Sequence, residues 1–402
     1  MSSGVLCWRR PMPSWQAPTR LWQGGQTGDA LVDFTGGVNE AINIGEGGYE
    51  NDEDKKTELF EKMVEAQKHK AMISCSIALS EGDAPEKQLD CGLIKGHAYA
   101  ITDIRKMSLS SGLMSILGRR SGNLMMLKLR NPWGKKEWNG AWSDQSEEWK
   151  KVPAKEREKM NIKIDDDGDF WMELHDWVHW FTDVSLCRQV NTSLLSLQKN
   201  WHEGTFHGEW KGRSAGGSVN NRETFLHNPQ YVFKVPHGEA EVMLSLMQED
   251  PRSALSSVGG KNFAIGFYIM KVEENREYRL HVIQEKVGTV TFTNRRSVFG
   301  LFSLNHGTYV VVPSTFEPHQ ERSFLLRIFS ERSHHAKELK LEAPERGVMG
   351  VLCCCLWRRP RALVTVHLEN AHDLKKQDMT GAGADPYCIV KCGGQKAETP
   401  VI

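Results

Sequence analysis

Between Gln230 and Ile328 one kind of segment recurs: a short apolar, β-branched or aromatic run, closed off by Gly, Asn, Pro or charged residues. Gln230–Val235, Glu241–Met247, Phe263–Val272, Tyr278–Val282, Thr289–Thr293, Thr308–Val312 and Ser323–Ile328 all have this form. The runs are of strand length, and no long helical pattern interrupts them. Strands joined by short turns bury their apolar faces against a second layer. The spacing therefore predicts an antiparallel β-sandwich for 191–345.

The preceding stretch, 24–190, has a different texture. Asn51–Lys70 predicts a helix, capped by Asn51 or Asp52, with Leu59, Phe60, Met63 and Val64 on one face. Ala71–Ala78, His97–Ile104 and Leu124–Leu129 predict strands. A Trp-rich turn region follows, and Asp169–Phe181 then predicts a short amphipathic helix with Trp171, Leu174, Val178 and Phe181 inward. The fold class expected is α+β. Residues 1–23 mix Trp, Pro and Arg without period and predict an irregular start. Residues 346–361 read as a linker, in which Cys353, Cys354 and Cys355 beside Arg358 and Arg359 are either incidental thiols or an S-acylation site. In 362–402, Leu363–Leu368 and Tyr387–Lys391 predict strands, but a segment this short cannot bury a core alone.

Acidic and basic residues balance at 51 each, so no global field favours nucleic acid or a membrane surface. No apolar run is long enough to span a bilayer, and the first twenty residues lack a secretory apolar core. The nine cysteines show no framework spacing, which predicts reduced thiols and a cytoplasmic setting.

Two short motifs carry chemistry. Gly96-His97-Ala98-Tyr99 opens a predicted strand, and Arg130-Asn131-Pro132-Trp133-Gly134 closes another. In a cysteine protease, an imidazole takes the thiol proton and later gives it to the leaving amine. A side-chain amide can hold that imidazole in one tautomer, and an indole can shield the pair from water. His97, Asn131 and Trp133 have the residue types for these roles. Taken singly, a strand His is more often a packing residue and an Asn before Pro a turn residue. Glu137, Asp144, Asp165, Asp166, Asp167 and Asp169 also cluster around the Trp region. They read either as oxygen donors for a calcium ion or as a solvated acidic loop, without the spacing of an EF-hand.

With these residues in hand, the sequence resembles the calpain family of papain-like, calcium-dependent cysteine proteases. KGHAYAITDI around His97, LKLRNPWGKKEWNGAWSD around Asn131, DALVDFTGG (Asp29–Gly37) and DDGDFWMELHDW (Asp166–Trp177) carry the resemblance. It implies the sheet-rich second half of a papain-like catalytic domain over 24–190, with His97 as general base, Asn131 as orienting amide and Trp133 as shielding indole. It implies a calcium site in which Glu137 and Asp144 form one loop and Asp165, Asp167 and Asp169 the other, Asp165 acting through its backbone carbonyl. Gly208-Glu209-Trp210, Ala215-Gly216-Gly217 and Asn228-Pro229-Gln230-Tyr231 resemble the family's β-sandwich domain.

One departure is large. The family nucleophile lies in a Gln-Gly-x-x-Gly-x-Cys-Trp pattern, and this sequence contains none; Leu6-Cys7-Trp8 has the Cys-Trp pair without the Gln or the glycines. The expectation is that the first catalytic subdomain is missing and that the chain by itself does not cleave peptides. The tail, with Asp378 and Asp385-Pro386-Tyr387, resembles the start of a C2 domain, which points to the atypical branch of the family. Two carboxylates make a weak site, so no calcium is expected there. Protein substrates are the implied partners, with phospholipid contact through the sandwich and C2-type segments. The alternative is a non-catalytic module that binds protein or phospholipid.

Overall fold

The computed structural model describes residues 25–84, 86–108, 123–134, 137–160, 167–190, 201–251, 260–342, 366, 387–392 and 395–399. The first body is built on β1 (Val38–Asn43), β2 (Met72–Ser76), β3 (Ala98–Ser108), β4 (Asn123–Arg130), β5 (Asp169–Glu173) and β6 (Asp183–Arg188). They form one sheet in the order β1-β6-β2-β3-β4-β5, and every neighbouring pair is antiparallel.

Helices α1 (Thr27–Thr35), α2 (Ile44–Gly47) and α3 (Glu53–Lys68) flank this sheet. Asp52 caps α3, its carboxylate accepting from the Lys55 amide at 3.0 Å. Leu59, Phe60 and Met63 of α3 are buried in the main core with Trp177, Phe181 and Leu186, and Val64 packs at its margin. On the other side Met107, Leu124, Met126 and Trp171 meet Trp142, Trp149 and Val152. The Trp-rich stretch is thus a second, small core, carrying α4 (Glu148–Lys151) and α5 (Ala154–Lys159).

Asp169–Phe181 is not one helix. Its first half is β5, and only α6 (Leu174–Trp180) is helical. Phe170 and Met172 face the main core while Trp171 faces the second core. That period-2 alternation is a strand's, and a short run buried on both faces hides it from a helical count.

The second body is a sandwich of two antiparallel sheets. One has the order β11-β10-β13-β8-β15, from β8 (Tyr231–Val235), β10 (Ile265–Val272), β11 (Lys286–Thr289), β13 (Gly307–Thr315) and β15 (Lys337–Glu338). The other has the order β12-β9-β14-β7, from β7 (His202–Trp210), β9 (Ala240–Gln248), β12 (Ser297–Leu304) and β14 (Arg322–Ser330). Phe233, Phe267, Ile269, Leu244, Leu246 and Leu326 fill the space between them. Tyr278–Val282 is no strand: Tyr278 makes only an isolated bridge to Leu341. The strand expected at Thr289–Thr293 lies earlier, at Lys286–Thr289.

The two bodies meet along α1, β1 and β6 on one side and β9, β12 and β14 on the other. Val32 and Cys187 pack on Met247 and Leu325, and Val38 packs on Met243 and Phe329. Arg296 forks onto Asp33 at 2.8 and 2.9 Å. Arg327 donates to the carbonyls of Gly36 and Gly37 at 2.7 and 3.1 Å.

Near the end, β16 (Ile389–Cys392) and β17 (Gln395–Glu398) form an antiparallel hairpin. The irregular start with Cys7, the Cys353–Cys355 run, Asp378, Asp385 and all of Leu363–Leu368 except Val366 lie outside the described residues. Among the described residues no helix is long and apolar enough to cross a membrane.

Candidate functional site

His97 precedes β3 and Asn131 follows β4, and these strands are neighbours. The antiparallel register therefore brings the two motifs together at one end of these two strands. His97 is 8% exposed and Asn131 fully buried. The His97 Nε2 to Asn131 Oδ1 distance is 3.0 Å. The Trp133 backbone N–H also donates to Asn131 Oδ1, at 3.0 Å. A backbone N–H can only donate, so that amide atom is the oxygen, and the ring nitrogen facing it must carry a proton. A neutral His97 thus holds its hydrogen on Nε2 and leaves the Nδ1 lone pair open to accept a proton. The Trp133 ring lies against the imidazole with centroids 4.4 Å apart and is itself 40% exposed. Tyr99 meets the imidazole edge-on at 5.3 Å. Its hydroxyl accepts from the Ile94 amide at 2.9 Å.

The Nδ1 side has a neighbour that no motif foretold. Glu86 Oε1 lies 3.8 Å from His97 Nδ1, on a residue with a left-handed φ of 55°. Asp83 organises the loop that carries it, accepting from the Ser80 amide, Lys87 and Lys95 at 3.0, 2.9 and 2.8 Å. The hydrogen bonds from Lys95, Lys87 and Ser80 hold the Asp83 carboxyl well below the usual carboxylate range. A polar, Pro-containing loop offers no periodic signal by which Glu86 is found from sequence.

The described cysteines of this body do not have thiolate character. Burial pushes the Cys75 thiol far up, only partly opposed by the hydrogen bond that Trp177 Nε1 donates to its sulfur. Burial raises Cys91 and Cys187 as well.

The two acidic loops are in contact, and their meeting point is also the Asn131 turn. The Gly168 N–H donates to Glu137 Oε1 at 2.7 Å, and the Asn131 N–H donates to the Gly168 carbonyl at 2.8 Å. Asp167 is exposed, its Oδ1 accepting from the Asp169 amide at 3.0 Å. Asp144 is half-buried in the turn between Trp142 and Ser146. Asp165 and Asp166 lie outside the described residues. Asp169 departs from the expected ligand set: its two oxygens are held by Lys128 at 2.9 Å and Arg130 at 3.3 Å. Residue 169 pairs with Arg130 across β4 and β5, so its side chain stands beside that strand's cations. Among the described residues no three acidic, His or Cys side chains converge as a metal cage. The all-oxygen donors and the joined loops fit a hard cation at Glu137 and Asp167, but a calcium ion would have to displace two cations to recruit Asp169.

The sequence is similar to known proteins over both bodies. The family model for calpain family cysteine protease matches residues 19–188, and that for calpain large subunit, domain III, matches 206–329. Calpain-5 of Mus musculus is 45% identical over 384 residues, covering 94% of this chain and 59% of that protein. Calpain-5 of Caenorhabditis elegans is 38% identical over 346 residues, covering 81% of this chain and 53% of that protein. The Calpain-1 catalytic subunit of Gallus gallus is 33% identical over 339 residues, covering 79% and 45%. The chain spans little more than half the length of even the murine relative. A sheet that brings His97 to Asn131, a β-sandwich docked on its edge and matches over both bodies make this chain a member of the calpain family.

Proposed function

We propose that this chain supplies the base half of a calcium-regulated cysteine endopeptidase. The observation that carries the reading is the fixed orientation of His97 by Asn131, itself fixed by the Trp133 N–H. In the reaction His97 Nδ1 accepts the proton of a cysteine thiol as the sulfur attacks the substrate carbonyl. It returns that proton to the leaving amine. Asn131 keeps the ring in the tautomer that leaves Nδ1 open, and the Trp133 indole covers the imidazole–amide pair from water. Glu137, Asp144 and Asp167 would hold a calcium ion, which when bound would supply positive charge between the two acidic loops. Gly168 belongs to one of those loops and bonds directly to Asn131, so ordering there reaches the base.

Protein substrates are the expected partners. Phospholipid contact through the sandwich and a C2-type tail belongs to the same reading, as does a cytoplasmic setting, in keeping with the free thiols of the described cysteines. The test joins this chain to the part of murine Calpain-5 that it does not span and assays peptide cleavage with and without calcium. Calcium-dependent cleavage that falls more than about a thousandfold in H97A supports the reading; cleavage indifferent to H97A sinks it.

A second reading follows from the raised thiols of Cys75, Cys91 and Cys187. None of these three described cysteines is a ready nucleophile, and on this reading the chain by itself would serve as a non-catalytic module that binds protein or lipid. Saturable binding to anionic vesicles by the chain without hydrolysis of any peptide favours it.

A further inference from the structure

Two consecutive arginines of the sandwich cross to the first body, and they grip different things. Arg296 forks onto Asp33 in α1. Arg295 NH2 donates to Asp183 Oδ1 at 3.0 Å, at the start of β6. The backbone of both is fixed by one β9 residue: Gln248 Nε2 donates to the Arg295 carbonyl and the Gln248 N–H to the Arg296 carbonyl, at 2.8 and 2.9 Å.

Beyond Asp183 the hydrogen bonds continue in one direction. The Thr182 hydroxyl donates to Asp183 Oδ2 at 2.8 Å. The same hydroxyl also lies 3.3 Å from the Ser76 carbonyl, the longer and weaker of its two acceptors, and its oxygen accepts the Ala78 N–H at 2.8 Å. The Thr182 N–H donates to the Ser76 carbonyl at 3.0 Å. Residues 76–78 then hold the base from both sides. The Gly96 N–H donates to the Ile77 carbonyl at 2.7 Å, and Ala98 pairs with Ser76 in the sheet. His97 lies between Gly96 and Ala98.

We infer that Arg295 is a positioning residue for His97, acting across the interface through Asp183, Thr182 and the 76–78 segment. The guanidinium takes one oxygen of Asp183, so the other is free to orient the Thr182 hydroxyl. That orientation lets Ala78 dock and sets where Gly96 leaves for His97. The sandwich thereby reports its seating to the base, while Arg296 serves only as a clamp. The inference rests on the proposed reading of His97 as the base, but its geometry is read without any assay of cleavage.

The test uses the full chain with ring-labelled histidine and amide hydrogen exchange, comparing R295Q, R295K and R296Q. R295Q is expected to speed exchange at Ala78 and Gly96 by about tenfold, the scale of one lost charged hydrogen bond. It should also shift the His97 ring carbons. R295K, which keeps a donor for Asp183, should restore most of both, and R296Q should leave both as in the wild type. Unchanged Ala78 exchange and His97 shifts in R295Q overturn the inference. So does an equal effect of R296Q, which would mean general loosening of the interface. If the relay responds as expected but the joined protease ignores H97A, the reading of the base fails and the relay stands as structure alone.

Discussion

Asn131 and Gly168 are joined backbone to backbone, the Asn131 N–H donating to the Gly168 carbonyl at 2.8 Å. This one bond links the turn that orients His97 to the loop whose N–H is held by Glu137. The approach is close because residue 168 has no side chain. A Cβ there would fall 2.7 Å from the Asn131 carbonyl oxygen, at a φ of 88°. Gly168→Ala should therefore push the two loops apart. We expect a loss of about 1–3 kcal/mol in denaturant unfolding, with faster exchange at the Asn131 amide. Wild-type stability in this variant would mean that the loops are not tightly joined.

Asn131→Ala strands two donors at once, the His97 Nε2–H and the Trp133 N–H. Because Asn131 is fully buried, water cannot easily replace the lost acceptor. The expected cost is about 1–3 kcal/mol, and the His97 ring resonances should broaden or split as the ring loses its fixed orientation. An equally sharp His97 ring in the variant would count against the Asn131 role.

Asp83 gives a pH signature. Its carboxyl is held below the usual range by Lys95, Lys87 and the Ser80 amide, so the folded state favours the charged form. The stabilisation is fully present above the unfolded carboxylate pKa of about 4 and is lost as pH falls through the lower folded value. Asp83→Asn should therefore be less stable than wild type at neutral pH, and the gap should close in strong acid. A gap that does not change with pH would mean that Asp83 acts by shape rather than charge.

Lys128 pairs with Asp169 at 2.9 Å, so a calcium ion that recruited this carboxylate would have to compete with the ammonium. Lys128→Met should free one Asp169 oxygen and tighten calcium binding on the order of tenfold, while Asp167→Ala should abolish it. Titration calorimetry of the chain with calcium decides this. Weaker or unchanged binding in Lys128→Met would show that Asp169 stays an ion-pair residue and never joins the metal.

The sequence made some of this legible and hid the rest for identifiable reasons. Asp52 and the Leu59–Phe60–Met63 stripe announced α3 because cap and period agree. His97, Asn131 and Trp133 could be found because short motifs beside strands survive without knowledge of tertiary structure. The strands β7 and β12 passed unseen. His202–Trp210 is an edge strand with little burial before its last residue, and Ser297–Leu304 is broken by Gly300, so neither shows clean alternation. The ion pairs of Asp169 were invisible for another reason: Lys128 and Arg130 meet it only through the β4–β5 register. Glu86 likewise reaches His97 by a loop path that no spacing rule describes.

The measurement closest to the central claim is long-range 1H–15N correlation of the His97 ring in the intact chain, at a pH where the imidazole is neutral. The Trp133 N–H fixes the Asn131 oxygen, and that oxygen requires a proton on His97 Nε2. The account predicts the Nε2–H tautomer, lost or mixed in Asn131→Ala. A proton found on Nδ1 in the wild-type chain would contradict it, since the nitrogen meant to accept the thiol proton would then already be occupied.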